Sequence, residues 1–330
     1  MPSAKFNGAS KIMKIIKINA LFVALCLFAL GSIFIAGQVS ALTVSPVRIE
    51  VAGNPGQTVK GNLVLLNDQT TPQKLYSSLA NFESNGTTGV PVFTPATQGL
   101  GTWIKVPSEV DLQPGEQQNV PYEITIPSGA SAGGNYAAIF WSPSPNAANS
   151  GQVAIGSRTG ILVLLTVNGD ITINGALSGF KANGGFFDSV PVNFQYTFGN
   201  AGNDRVVPQG SINIKNLGLW TSASLTANGA KGNVLPNSNR TFNVAWGSDN
   251  AKGFFAKVGK EWNNFHLGIY TADLSLSYGQ DKLAVGSYTF FMLPWQLLLT
   301  LVIILLIVGF LVALVVKKWD KWIVRKASMK

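Results

Sequence analysis

The sequence predicts an all-β protein: two β-sandwich domains followed by a single C-terminal transmembrane α-helix. Three observations carry this. Leu297 to Val316 reads LLLTLVIILLIVGFLVALVV without a charge, and residues 42 to 292 break into short alternating runs separated by Pro, Gly and Asn. The order of those runs also repeats once, after about 130 residues, which is too long for a solenoid and right for a duplicated domain.

The apolar stretch fixes the topology. A helix rising about 1.5 Å per residue spans the roughly 30 Å hydrocarbon layer in this length and satisfies its own peptide groups where water is absent. A buried core helix rarely runs so long without a polar position. We assign the span to residues 293–316 and the basic tail to 317–330, where six Lys or Arg stand against Asp320. By the positive-inside rule the tail is cytoplasmic, everything before Leu293 is extracellular or periplasmic, and the chain crosses the plasma membrane once. Trp295 on one side, with Lys317, Lys318, Trp319 and Trp322 on the other, are the expected membrane-interface residues, and the lipid bilayer is the first expected partner.

The formal charge of +9 follows from that topology. Residues 1–41 carry Lys5, Lys11, Lys14 and Lys17 with no acid, and the tail carries most of the remaining excess, so bases and acids balance between the two ends. A nucleic-acid partner needs a basic face on the folded part and is not expected.

Residues 1–41 read as a signal peptide: a basic start, an apolar run from Ala20 to Ala36, and small residues Val39-Ser40-Ala41 before the cleavage point. An uncleaved anchor is the alternative, since the run is long for a leader. Cys26, the only cysteine, lies inside this segment, so the mature chain would have neither disulfide nor thiol chemistry.

Residues 42–169 supply the strand candidates LTVSPVRIEV, VKGNLVLLN, KLYSSLANF, WIKVP, VPYEITIP, YAAIFW and GILVLLTVNG at the spacing of an immunoglobulin-like sandwich. Val120, Tyr122, Ile124 and Ile126 alternate with polar residues, as one buried face requires. Tyr136 is placed as a corner tyrosine bonded to nearby backbone. Residues 170–292 repeat the scheme as a second immunoglobulin-like sandwich. The strand ending at Asn67 matches VPVNFQYTFGN ending at Asn200, Leu112-Gln113-Pro114 matches Val234-Leu235-Pro236, and Tyr136 matches Tyr270. SYTFFMLPW then joins the last strand to the membrane without a flexible spacer.

Catalytic signals are weak. Gly129-Ala130-Ser131-Ala132-Gly133 spells the hydrolase elbow, but a second strand follows where the elbow needs a helix, and His266, the sole histidine, falls in the other domain. No P-loop, dinucleotide fingerprint or Cys/His metal cluster is present, so the reading is a non-enzyme with no cofactor and no evident small-molecule substrate. An insertion in the second copy, 247–265, is the best recognition candidate: Phe254, Phe255, Lys257, Trp262 and Phe265 set aromatic anchors among lysines, fit to grip a partner or to lie at lipid headgroups. The alternative is a hairpin whose aromatics close the end of the sandwich. Asn85-Gly86-Thr87 and Asn239-Arg240-Thr241 are glycosylation sequons.

Leader, paired sandwiches, one span and a basic tail together resemble the WxL-interacting surface proteins of Gram-positive bacteria, with local likeness in SPVRIEV, PGEQQNVPYEITIP and TGILVLLTVNG. The first domain is also similar to fimbrial periplasmic chaperones. The first resemblance implies peptidoglycan or surface-protein partners, and the second implies secreted subunits. The expectation is therefore a membrane-anchored binding or scaffolding protein working through sandwich edges and loops, with an anchored chaperone or assembly factor as the alternative.

Overall fold

The computed structural model describes residues 42–145, 158–248 and 251–327; the signal peptide expected over 1–41 lies outside them. Two immunoglobulin-like β-sandwiches are followed by one long apolar helix.

In the first sandwich, one sheet orders β1 (Leu42–Ser45), β3 (Thr58–Asn67), β8 (Gln117–Thr125) and β6 (Ile104–Lys105). The facing sheet orders β2 (Arg48–Gly53), β10 (Thr159–Val167), β9 (Gly133–Ser142), β4 (Gln73–Ser84) and β5 (Pro91–Pro95), with β7 (Glu109–Leu112) also on β4. LTVSPVRIEV is thus two strands: Pro46, which cannot donate to a ladder, marks where the chain leaves one sheet for the other. A short turn of helix, α1 (Leu100–Trp103), precedes β6. Val120, Tyr122, Ile124 and Ile126 are all buried, and they meet Ile139, Trp141, Val163 and Leu165 of the opposite sheet. β9 is buried on both faces, which explains its continuous apolar run. Ala137, Ile139 and Trp141 face the core, while Ala138 and Phe140 lie under Phe93 and the Arg158 guanidinium, 4.0 Å from the Phe140 ring centroid.

The second sandwich stacks β11 (Gly175–Ala182), β13 (Val192–Asn200) and β16 (Ser238–Trp246) on a sheet ordered β12 (Phe186–Phe187), β18 (Lys282–Met292), β17 (Gly268–Tyr278), β14 (Gln209–Asn216) and β15 (Trp220–Thr226). Alternate residues Val192, Phe194, Tyr196 and Phe198 meet Ile212, Ile214, Ala272 and Leu274 across the interior. Two internal-repeat matches hold in three dimensions: Asn67 and Asn200 are both buried at strand ends, and each donates to a carbonyl of the segment paired with it, Leu112 and Val234 respectively.

Two expectations are corrected. Tyr136 is not a corner tyrosine equivalent to Tyr270. On β9 the odd-numbered positions face the core, so Tyr136 points outward, whereas Tyr270 lies inside the second core; the match was off by one residue, which in a strand reverses the face. Tyrosines bonded to backbone among the described residues are Tyr196, to the Ala227 carbonyl, Tyr278, to the Gly175 carbonyl, and Tyr288, to the Gly184 carbonyl. Within the insertion, α2 (Phe254–Asn263) is a helix and not a hairpin. Its apolar residues Phe254, Phe255, Val258 and Trp262 recur at helical spacing, and it docks on the first turn of α3 (Trp295–Ala327).

Candidate functional site

The turn after β13 joins the two sandwiches. Asn200 shapes it, donating through Nδ2 to the Asp204 and Val234 carbonyls at 2.7 and 3.0 Å and accepting the Gly202 N–H at 2.9 Å. So fixed, Asn203, Asp204 and Arg205 face the first sandwich and the linker. The Asn203 carbonyl accepts the Gly134 N–H at 2.8 Å, and its side chain takes the Thr172 N–H and gives to the Asp170 carbonyl. Any Cβ at position 133 would collide with that Asn203 carbonyl, and φ there is +127°, so glycine is required. Asp204 accepts from the hydroxyls of Thr166, at 2.8 Å, and Tyr136, at 3.4 Å. Arg205 gives to Thr166 and pairs with Glu50 at 3.3 Å, and Glu50 in turn holds Arg48 at 2.7 Å. Burial, reinforced by the Asp204 charge, pushes the Tyr136 phenol well above its ordinary value.

A second bridge forms at the turn between β4 and β5, where the Thr87 carbonyl accepts the Thr241 N–H at 2.7 Å and Gly89 lies under the Arg240 side chain. Both sequons meet at this contact. Arg240 gives to the Asn233 carbonyl at 2.9 Å with its guanidinium over the Phe242 ring, and burial lowers its pKa from the usual arginine value.

Between the bridges lies a cavity of about 250 Å³ lined by Phe82, Leu162, Leu164 and Leu235 and by the charged residues Arg48, Arg240 and Glu83. Small-molecule pockets usually enclose about 300 to 1,000 Å³. This cleft is below that range and has the size for one or two side chains of a peptide, and its lining offers charged groups of both signs.

The residues expected to bind a partner lie at the opposite end of the second sandwich. Phe254 packs edge-on against Trp295, centroids 6.4 Å apart, and against Phe255. Phe255, Trp262 and Phe265 are exposed, and Lys257 approaches Asp188 at 3.8 Å. Sequence reasoning missed Glu261, which is fully buried and accepts the Leu297 N–H at 2.6 Å, capping α3. Its neighbour Gln296 gives to Asp188 at 3.1 Å. Burial raises the Glu261 carboxyl, opposed by the Leu297 amide. Residues Trp295–Trp322 are long and apolar enough to cross a membrane, and Trp295 and Trp319 stand about 36 Å apart along the helix at roughly 1.5 Å per residue. Lys317, Lys318, Trp319 and Trp322 are exposed on its last turns.

The elbow-like stretch is an open turn between β8 and β9, with a strand on either side of Ser131. His266 closes the turn after α2, its Nδ1–H donating to the Asn264 carbonyl at 2.8 Å and its ring against Trp246. Neither arrangement is that of a nucleophile and its base. The interdomain residues Asn203, Asp204 and Arg205 were also missed; their one signal was a charged pair in a turn that the first copy builds without an arginine.

No family model and no curated protein matches the sequence. Solved structures of similar fold include the class 5 fimbriae chaperone CfaA, with a TM-score of 0.37 and 12% identity over 76% of this chain and 99% of that one. The E. coli chaperone DraB aligns with a TM-score of 0.34 and 10% identity, over 76% of this chain and 95% of its own. The Pseudomonas aeruginosa CupB2 chaperone gives 0.33 and 10%, over 75% and 99%. These neighbours are of the kind named by the second resemblance, and likenesses this distant carry no argument about what the chain does.

Proposed function

We propose that this chain is a single-pass membrane protein whose sandwiches stand outside the cytosol as a non-catalytic module holding a protein partner, an extended segment of which lies in the interdomain cleft. The cleft carries the reading: apolar residues beside Arg48, Arg240 and Glu83, framed by two bridges between the sandwiches. A protein segment suits this lining, with apolar side chains against Phe82 and Leu162 and polar groups within reach of Ser84, Asn233 and the arginines. The crossing itself rests on the length and apolarity of α3 and on Lys317, Lys318 and Lys321 in its last turns, after the apolar run ends at Val316.

One observation favours a second reading, an assembly factor that pairs a strand with secreted subunits. β2 covers β10 only from Leu162 onward, so among the described residues no strand pairs with Thr159–Ile161 on that side. Photo-crosslinking in intact cells tests both. A photoreactive residue at Leu235 should capture a protein that the same residue at exposed Ser275 does not, and a reporter at Thr159 should capture it only if the edge is used. Arg48→Gln should cut the Leu235 adduct roughly tenfold, the worth of one charge-assisted hydrogen bond of about 1.5 kcal/mol. Equal capture at Leu235 and Ser275 would overturn the cleft.

A further inference from the structure

The membrane-proximal end of the second sandwich carries an apolar surface that the cleft does not use. β14 and β15 join there through Leu217, Gly218 and Leu219. The Leu217 N–H donates to the Ile269 carbonyl at 3.0 Å, and Trp220 pairs with Asn216, which lies opposite Tyr270, itself opposite Phe290. The turn is therefore at the same end of the sheet as Met292, three strand spacings or roughly 14 Å across from β18. Leu219 and Trp220 are 71% and 64% exposed. On the other side of β18, α2 turns Phe255 and Trp262 outward, 82% and 67% exposed. Midway up the same sheet the outward positions are Thr271, Asp273 and Ser275. Exposed aliphatic residues are ordinary on any protein, and Leu283 and Val285 are exposed at the far end of this sheet; what sets the membrane-proximal end apart is its large exposed aromatics, Phe186, Trp220, Phe255, Trp262 and Phe265.

Covalent continuity identifies what covers it. Met292 is separated from α3 by Leu293 and Pro294 alone, and that joint is held: the Leu293 N–H donates to the Phe187 carbonyl at 2.9 Å, the Leu298 N–H to Pro294 at 3.0 Å, and the Leu297 N–H to Glu261. With no slack in the connection, wherever α3 enters a bilayer this end of the sandwich meets its headgroups.

We propose that the 217–220 turn and the outer face of α2 insert into the lipid interface of the extracytoplasmic leaflet, so that the sandwich rests on the membrane at points flanking α3 and stands at a fixed angle. Trp and Phe favour that interface, and Lys252 and Lys257 beside the α2 aromatics suit lipid phosphates. A penetration of about 5 to 10 Å, as for interfacial amphipathic helices, covers both elements.

The proposal rests on α3 crossing the membrane, and the test separates the two. The full chain carrying Cys26→Ser is reconstituted into vesicles of phosphatidylethanolamine and phosphatidylglycerol, with one nitroxide at a time on Leu219→Cys, Phe255→Cys, Leu283→Cys or Val308→Cys. Leu283 is exposed at the far end of the sheet, and Val308 lies within α3. At positions 219 and 255, collision with oxygen should exceed collision with a water-soluble nickel complex several-fold, as at 308, while 283 reverses the ratio. Water-like behaviour at 219 and 255 with lipid-like behaviour at 308 overturns the collar and leaves the crossing intact. Water-like behaviour at 308 overturns both. Dipolar broadening at 219 that disappears on dilution with unlabelled chain would give the surface to a second copy instead of lipid, which also overturns the proposal.

Discussion

Asn67 and Asn200 end β3 and β13 with side chains that water does not reach. The Asn67 amide gives hydrogen bonds to the Thr71, Leu112 and Gln113 carbonyls and takes one from the Gln69 N–H. Replacing either residue by Ala leaves several buried backbone groups unpaired, and each change should lower stability by about 1–3 kcal/mol. Asn67→Asp keeps the shape but turns donors into acceptors facing carbonyls, so in a thermal melt of the detergent-solubilised chain it should do no better than Ala. An Asp variant that restored the melting temperature would show that shape, not donation, matters there. This pair was legible in the sequence because both copies needed the same residue at the same strand end. Tyr136 was misread because neighbouring strand residues point to opposite faces, and nothing local in GNYAAIF says which parity is inside when β9 is apolar on both.

At the scale of elements, the strands were legible from alternation and α2 was not. Its apolar residues Phe254, Phe255, Val258 and Trp262 do recur at helical spacing, but over only ten residues, begun after Gly253 and interrupted by Gly259, so the period is too short to outweigh the strand pattern on either side. Its docking depends on Glu261. Glu261→Ala leaves the Leu297 N–H without its acceptor and should free α2, whereas Glu261→Gln keeps an acceptor oxygen in place. Burial raises the Glu261 carboxyl above its ordinary value of 4.5, the Asp188 charge adding to the rise and Lys257 opposing it. The docked state therefore binds the proton more tightly than the free helix. Docking is firmest below that ordinary value and weakens as pH climbs through the raised one, then levels off once the carboxylate is charged in both states. Hydrogen exchange over residues 254–263, corrected for intrinsic rates, should show protection falling with pH in the wild type and a flat profile in Glu261→Gln. A wild-type profile equally flat would remove Glu261 as the titrating group.

For the whole molecule the question is what fixes one sandwich against the other, and magnitudes decide it. Exposed pairs such as Lys60 with Glu123 lie within one sandwich, are screened by water, and cannot orient it against the other. The interdomain network is different, because Asp204 and Arg205 have side chains only 14% and 16% exposed, and Asp204 takes the hydroxyls of Thr166 and Tyr136 from the other sandwich. A hydrogen bond to a charged group contributes about 1.5–3 kcal/mol, enough to hold an orientation that the Thr87 to Thr241 contact then completes at the other edge of the cleft. Asp204→Ala should therefore release the hinge without unfolding either core, since Asp204 belongs to neither. Nitroxides at exposed Thr125 and Ser222 report this directly. Their distance distribution, measured by pulsed dipolar spectroscopy on the full chain, should broaden in Asp204→Ala and stay narrow in Lys60→Ala. Because the cleft exists only while both bridges hold, the Leu235 photo-adduct should fall in the same variant; a distribution that stays narrow while the adduct disappears would mean that Asp204 touches the partner itself and does not merely position the walls.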